Sequence, residues 1–245
     1  MLVSRERIAS ITHLAEQPEY SFTWRQAQGL HKNSGLAEQV IPLQPDLIIA
    51  SPYSPGSAVK LLASLGFPVE IIDIPNSLVD VAAFINQLGV LVGEPARAAE
   101  IISAMQQKIA KSEQLLSQET REPMTAITYA PNGHTAGKHT LKNEILEKSG
   151  YRNMAADLGV EYYGNLSIEQ LLYSKPDLVV IDDSTHNKNS LAQRFTDHPV
   201  IKKAMGSSHI VHVDANQWLC AGPMAADAIE TLTAHRIAKK RSGNS

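Results

Sequence analysis

Slid against itself by 131 residues, the sequence repeats one unit. Glu38-Gln39-Val40-Ile41 … Pro45-Asp46-Leu47-Ile48-Ile49 falls on Glu169-Gln170-Leu171-Leu172 … Pro176-Asp177-Leu178-Val179-Val180. Each copy reads as a short helix, a Pro-Asp turn and a buried strand, and each is preceded at a distance by another short apolar run, Ile8–Thr12 in one half and Ala126–Tyr129 in the other. A repeat of this length says that one supersecondary unit occurs twice. The chain is therefore expected to form two similar lobes.

Further strands are expected at Asp46–Ala50, Val69–Asp73, Leu178–Asp182 and Ile210–Val213, all short Ile- and Val-rich runs between turn residues. Helical spacing fills the intervals at Ser57–Leu65 and Leu141–Ser149, with Gly66 and Gly150 where those helices end. Strands alternating with helices imply an α/β fold with parallel sheets. Between the halves, Ser77–Val92 and Pro95–Gln118 read as helix. In the second, Ile102, Met105, Ile109 and Leu116 keep a three-to-four spacing, and Pro95 suits the first turn. At ~1.5 Å per residue that helix runs roughly 36 Å, enough to join two lobes rigidly. The expected division is an N-terminal lobe over 1–76, a connecting helical segment over 77–120 and a C-terminal lobe over 121–245.

Composition removes several function classes. With 22 basic against 25 acidic residues there is no electrostatic footprint for nucleic acid or an anionic membrane. No stretch approaches the ~20 apolar residues of a transmembrane helix. The single cysteine, Cys220, excludes an internal disulfide and a cysteine-based metal cluster. Met1–Glu6 carries no apolar signal region, so the chain is expected either to be cytoplasmic or to have its export segment elsewhere.

Gly133-His134-Thr135-Ala136-Gly137-Lys138-His139-Thr140 follows a strand and precedes a helix, as a phosphate-binding loop does. Such a loop needs four residues between its glycines and a hydroxyl directly after lysine. Here there are three, and His139 holds the hydroxyl position. A glycine-containing turn that starts a helix fits better. No Gly-x-Ser-x-Gly elbow is present, and no histidine pair has helical zinc spacing. Neither a cofactor nor a catalytic residue is assigned.

In open α/β sheets, ligands bind at the carboxyl ends of the strands. The loops expected there are Thr12-His13-Leu14, Ser51-Pro52-Tyr53-Ser54, Ala130-Pro131-Asn132-Gly133-His134-Thr135, Asp183-Ser184-Thr185-His186 and Asn216-Gln217-Trp218. Hydroxyls, imidazoles, amides and large aromatics suit recognition of a polar organic ligand better than a reaction. Trp218 has two readings, a ring facing the ligand or a plug at the edge of the second lobe.

This order of elements resembles the helix-backbone substrate-binding proteins of ABC importers that capture iron(III) siderophores, haem or vitamin B12. The resemblance is carried by Arg7–Thr12, Gly35–Val40, Leu43–Ala50, Leu62–Val69, Ser167–Leu172, Lys175–Val180 and Trp218–Pro223. It implies two lobes joined by a rigid helix, a ligand in the cleft between them, and delivery to a membrane permease by a monomer outside the cytoplasm. On this resemblance Tyr53, Tyr129 and Trp218 stack on the ligand, His134 and His186 meet its polar rim or metal, and Thr12, Ser51, Asn132 and Asn216 hydrogen-bond it. His13 and Thr135 lie in the same loops. Among ligands an iron(III) chelate ranks first, followed by cobalamin and haem. A cytoplasmic nucleotide-dependent or chelatase-like enzyme is the competing class. Pro55-Gly56-Ser57-Ala58 lacks the glutamate with which such proteins dock on their importer.

Overall fold

A computed structural model describes residues 1–118, 124–183 and 209–243. The strands are β1 (Ile11–Thr12), β2 (Lys32–Asn33), β3 (Ile48–Ala50), β4 (Val69–Ile71), β5 (Met124–Tyr129), β6 (His134–Ala136), β7 (Tyr151–Asn153), β8 (Tyr163–Asn165), β9 (Leu178–Asp183) and β10 (Ile210–Asp214). The helices are α1 (Trp24–Ala27), α2 (Ala37–Val40), α3 (Gly56–Ser64), α4 (Leu78–Leu91), α5 (Pro95–Ser117), α6 (Leu141–Lys148), α7 (Met154–Asp157), α8 (Ile168–Ser174) and α9 (Ala225–Gly243). The α/β fold with parallel sheets is the one the alternation of strands and helices implies.

The C-terminal strands form one parallel sheet in the order β10-β9-β5-β7. Its central strands are apolar on both faces, as strands covered by helices on each side must be. Val179, Val180 and Ile127 are wholly buried. N-terminal pairing is shorter, β1 with β2 and β3 with β4, both parallel. The repeat persists in the backbone. Gln44 and Lys175, each just before its Pro-Asp turn, both adopt a left-handed conformation with φ of 46° and 47°. Sequence reading missed β2, β6, β7 and β8. Each is two or three residues long, too short for alternation to show.

The long helix α5 buries Ala98, Met105, Ile109, Ser112 and Leu116, a single stripe at three-, four- and seven-residue intervals. That stripe joins the main core, built with α4, α6, α9 and the face of the C-terminal sheet. Ionic pairs flank it, Lys108 with Asp227 of α9 and Lys148 with Glu113 at 2.7 Å. Antiparallel α4 meets α5 closely because Gly89 has no side chain; a Cβ there would lie 2.4 Å from Cβ of Ala98. Arg7 ties the first turn of the chain to the α4–α5 corner through Glu94 at 2.8 Å and the Val92 carbonyl at 2.6 Å. The N-terminal lobe has a smaller core of its own, with Ala37, Val40, Ala58 and Leu62 at its centre.

The repeated aspartate has a defined task in the second lobe. Asp177 Oδ2 accepts hydrogen bonds from the Thr125 backbone N–H at 2.7 Å and its hydroxyl at 3.0 Å. In return, the Asp177 N–H donates to Thr125 Oγ1 at 3.1 Å. This clamp fixes the start of β9 against the start of β5. Asp177→Ala strands the Thr125 donors, and chemical denaturation is expected to show a loss of about 2 kcal/mol with the m-value unchanged.

Candidate functional site

Two loops at the carboxyl edge build the site. After β3, the Ser51 N–H donates to Ser54 Oγ at 3.0 Å and the Tyr53 N–H to Ser51 Oγ at 3.3 Å. The closed turn uses the Ser51 hydroxyl locally and pushes the Tyr53 ring into solvent, where it is 82% exposed. After β5, Pro131–Gly133 forms a tight turn with Asn132 in a left-handed conformation, φ 63°. The Ala130 N–H donates to the His134 carbonyl at 2.8 Å, and the chain reverses into β6.

Strand β6 pairs antiparallel with β8, placing His134 opposite Asn165. His134 then stacks on Tyr163, with ring centroids 5.6 Å apart and planes 10° from parallel. Its Nδ1 lies 3.4 Å from Asn165 Oδ1, while Asn165 Nδ2 donates to the Asn132 carbonyl at 3.5 Å. The hairpin is held from beneath. Thr135 Oγ1 donates to the Thr128 carbonyl at 2.6 Å, and the Ala136 N–H donates to Thr128 Oγ1 at 3.2 Å.

Tyr53 and Tyr163 line one cavity of about 730 Å³ from opposite lobes. Its remaining wall comes from Ile71–Asn76 after β4 and from one face of α4, including Phe84. The charged side chains among the described lining residues are Asp73 and Asp80, with no Lys, Arg or His. The volume suits a small-molecule site.

Sequence-assigned residues divide accordingly. Tyr53 lies on the cavity wall, His134 on the β6–β8 strand pair beside it, and Asn132 in the turn that leads into β6. Thr12 and His13 are exposed at the end of β1 and do not line the cavity. Tyr129 is fully buried and donates its hydroxyl to the Leu166 carbonyl at 3.2 Å. Burial pushes its phenol up to about 12, with the Glu169 carboxylate adding to the effect. Thr135 is buried in the lock just described. Asn216 donates to the Pro18 carbonyl at 2.8 Å, stitching the last loop to the first segment. Trp218 is 3% exposed in the main core, with Lys142 Nζ 4.9 Å from its ring centroid, so it is the edge plug. His186 lies outside the described residues. Tyr163, Asn165, Phe84, Asp73 and Asp80 were not singled out in the sequence. The Tyr162-Tyr163 pair beside Gly164 was the available signal.

The glycine-lysine segment also acquires a structural reason. Gly137 donates its N–H to the Tyr162 carbonyl at 2.6 Å, and a Cβ on it would fall 1.9 Å from the Val160 carbonyl oxygen. Thr140 caps α6 by accepting from the Asn143 N–H at 3.2 Å and donates to the Gly137 carbonyl at 2.7 Å. This glycine admits the backbone of the loop at Val160 rather than a phosphate.

A family model described as periplasmic binding protein matches residues 6–216. The chain belongs to that family. It is a family of binding proteins, not of enzymes. An ABC transporter substrate-binding lipoprotein of Bacillus subtilis, YvrC, is 25% identical over 202 residues, 80% of this chain and 63% of its own length. A vitamin B12-binding protein of Photorhabdus laumondii is 28% identical over 199 residues, 80% of this chain and 68% of its own length. The periplasmic haem-binding protein RhuT of Roseiflexus superimposes with a TM-score of 0.79 at 21% identity, covering 96% of this chain and 91% of that one. This last likeness concerns fold. The chain spans about half to two thirds of the length of the curated relatives it matches. Among the described residues no helix is long and apolar enough to cross a membrane.

Two substitutions check these placements. Gly137→Ala is expected to destabilise the protein by about 2–4 kcal/mol, because backbone must move to admit the methyl. Tyr129→Phe is expected to cost about 1 kcal/mol and to leave ligand affinity unchanged by calorimetric titration, the result for a core tyrosine.

Proposed function

We propose that this binding protein captures a metal chelate outside the cytoplasm and delivers it to the permease of an ABC importer, with the cleft between the 1–76 and 121–245 lobes as the capture site. Supporting this reading is one juxtaposition, Tyr53 and Tyr163 facing a common cavity from opposite lobes. Two aromatic side chains on one cavity suit a large flat ligand, and His134, stacked on Tyr163, adds a polar edge.

Charge orders the candidates. The described lining carries Asp73 and Asp80 and no cation. A tris-catecholate iron complex or a haem with ionised propionates would meet carboxylates where it needs Arg or Lys. A neutral or cationic chelate meets no such penalty. We therefore place a corrinoid ahead of the anionic iron chelates, with a cationic ferric hydroxamate next. The vitamin B12-binding relative is consistent with that order.

Isothermal titration with cyanocobalamin, a cationic ferric hydroxamate, haemin and an anionic ferric tris-catecholate tests the ordering. Cyanocobalamin is expected to bind, with Tyr53→Ala and Tyr163→Ala each weakening it ~3- to 10-fold. Tight binding confined to the anionic chelates would overturn the corrinoid assignment. Unchanged affinity in both tyrosine variants would remove the site.

A further inference from the structure

Each lobe is tied to the helical segment between them. Arg7 bonds Glu94 and the Val92 carbonyl, and the Leu78 N–H at the start of α4 donates to Glu144 Oε2 of α6 at 2.6 Å. The lobes also meet directly, at a place that uses no residue of α4 or α5. Asn216 Nδ2 donates to the Pro18 carbonyl at 2.8 Å, and the Cys220 thiol donates to the Tyr20 carbonyl at 3.0 Å. These contacts join residues 198 and 200 apart in sequence. Pro18–Tyr20 lies in the segment after β1 and Asn216–Cys220 in the segment after β10, so both leave the carboxyl edge of a strand, the edge where a ligand is held.

Both sides of this contact are braced. On the N-terminal side, the Tyr20 and Ser21 N–H groups donate to the Gln17 carbonyl at 3.0 and 2.9 Å and close a turn. Just before it, Glu16 accepts from the Gly29 N–H at 3.0 Å and pairs with Lys32 of β2. On the C-terminal side, the Trp218 and Leu219 N–H groups donate to the Ala215 carbonyl at 3.2 and 2.9 Å. The Trp218 ring, buried in the main core, roots the turn between the two donors. Ala221 then takes a left-handed conformation, φ 34°, which a side chain rarely adopts and which fixes the exit toward α9. With a closed turn on each side, neither segment has slack to follow a moving lobe. A change in lobe separation therefore loads both hydrogen bonds together.

We infer that Pro18–Tyr20 and Asn216–Cys220 form a strap that sets the resting width of the cleft, holding the ligand-free lobes at one separation and opening as a unit when either bond is lost. Both bonds join uncharged groups, so the strap keeps its strength as salt rises, unlike the Arg7–Glu94 pair on the helical side. Two neutral hydrogen bonds are also weak enough to open and reclose in the free protein. The consequence for capture rests on the proposed function: lobes already spaced leave less to be ordered when a chelate enters. On this inference Asn216 acts on the ligand through lobe spacing.

The test needs no ligand. Cys220 is the single cysteine of the chain, and its thiol, pushed up in pKa by burial, is engaged on Tyr20 while the strap is closed. Its alkylation by iodoacetamide at fixed pH therefore reads strap opening. Asn216→Ala is expected to raise that rate about fivefold, the weight of one neutral hydrogen bond, and to lower Tm by no more than about 4 °C. A second measurement uses Cys220→Ser, whose hydroxyl keeps a donor toward Tyr20, with spin labels at Lys60→Cys on α3 and Tyr173→Cys on α8, both exposed positions. Adding Asn216→Ala is expected to shift or broaden the interlobe distance distribution. An unchanged alkylation rate would overturn the inference. So would a faster rate with an unchanged distance distribution, since that combination marks fraying of the 215–220 turn alone. Neither result bears on which chelate is captured, which the titrations above decide separately.

Discussion

A parallel strand can be reached again only by crossing over the sheet, and so every loop that follows a strand emerges at the same edge. This constraint governs the whole molecule. It places the turn after β3 and the segment after β4 on one cavity wall although the two are about twenty residues apart in sequence. It also places helices on both faces of the C-terminal sheet, and Leu178–Ile181 of β9 become a continuous buried apolar run to match. The connecting helix α5 then has a surface to pack on, and its stripe from Ala98 to Ile109 joins that core instead of spanning open space.

Regular elements were legible because they recur at a fixed period. The stripe on α5, the Pro-Asp turn and the β3 and β9 runs all follow from spacing within a dozen residues. The left-handed Gln44 and Lys175 show that the repeat extends to backbone conformation. What could not be read was pairing between short segments far apart. His134–Ala136 and Tyr163–Asn165 are three residues each, and nothing local links them. Without that pairing, the stacking of His134 on Tyr163 is invisible.

The site assignments fared according to burial, which is a property of neighbours rather than of residue type. Tyr129, Trp218 and Thr135 carry groups that often serve ligands, and all three are buried by tertiary packing. In two of them the polar atom is visibly used inside the protein: the Tyr129 hydroxyl on Leu166, the Thr135 hydroxyl on Thr128. Tyr53 differs because a four-residue turn closes on itself and leaves the ring no core to enter. A self-contained turn is readable from Ser-Pro-Tyr-Ser; a tertiary neighbour is not.

Rigidity of the aromatic wall has an energetic consequence. An exposed tyrosine on a loose loop would surrender about 0.5–1.5 kcal/mol of side-chain freedom on capturing a ligand. Tyr163 stands on a strand whose partner is locked by the buried Thr128–Thr135 pair, and its ring is already stacked on His134 before any ligand arrives. Much of that ordering is complete in the free protein, so more of the stacking energy remains for the ligand. Tyr53, by contrast, is 82% exposed, and the ring contact to be ordered on capture lies on its side of the cleft. On the proposed function, selectivity for a flat face therefore belongs to the C-terminal wall, and the adjustment on binding to the N-terminal one.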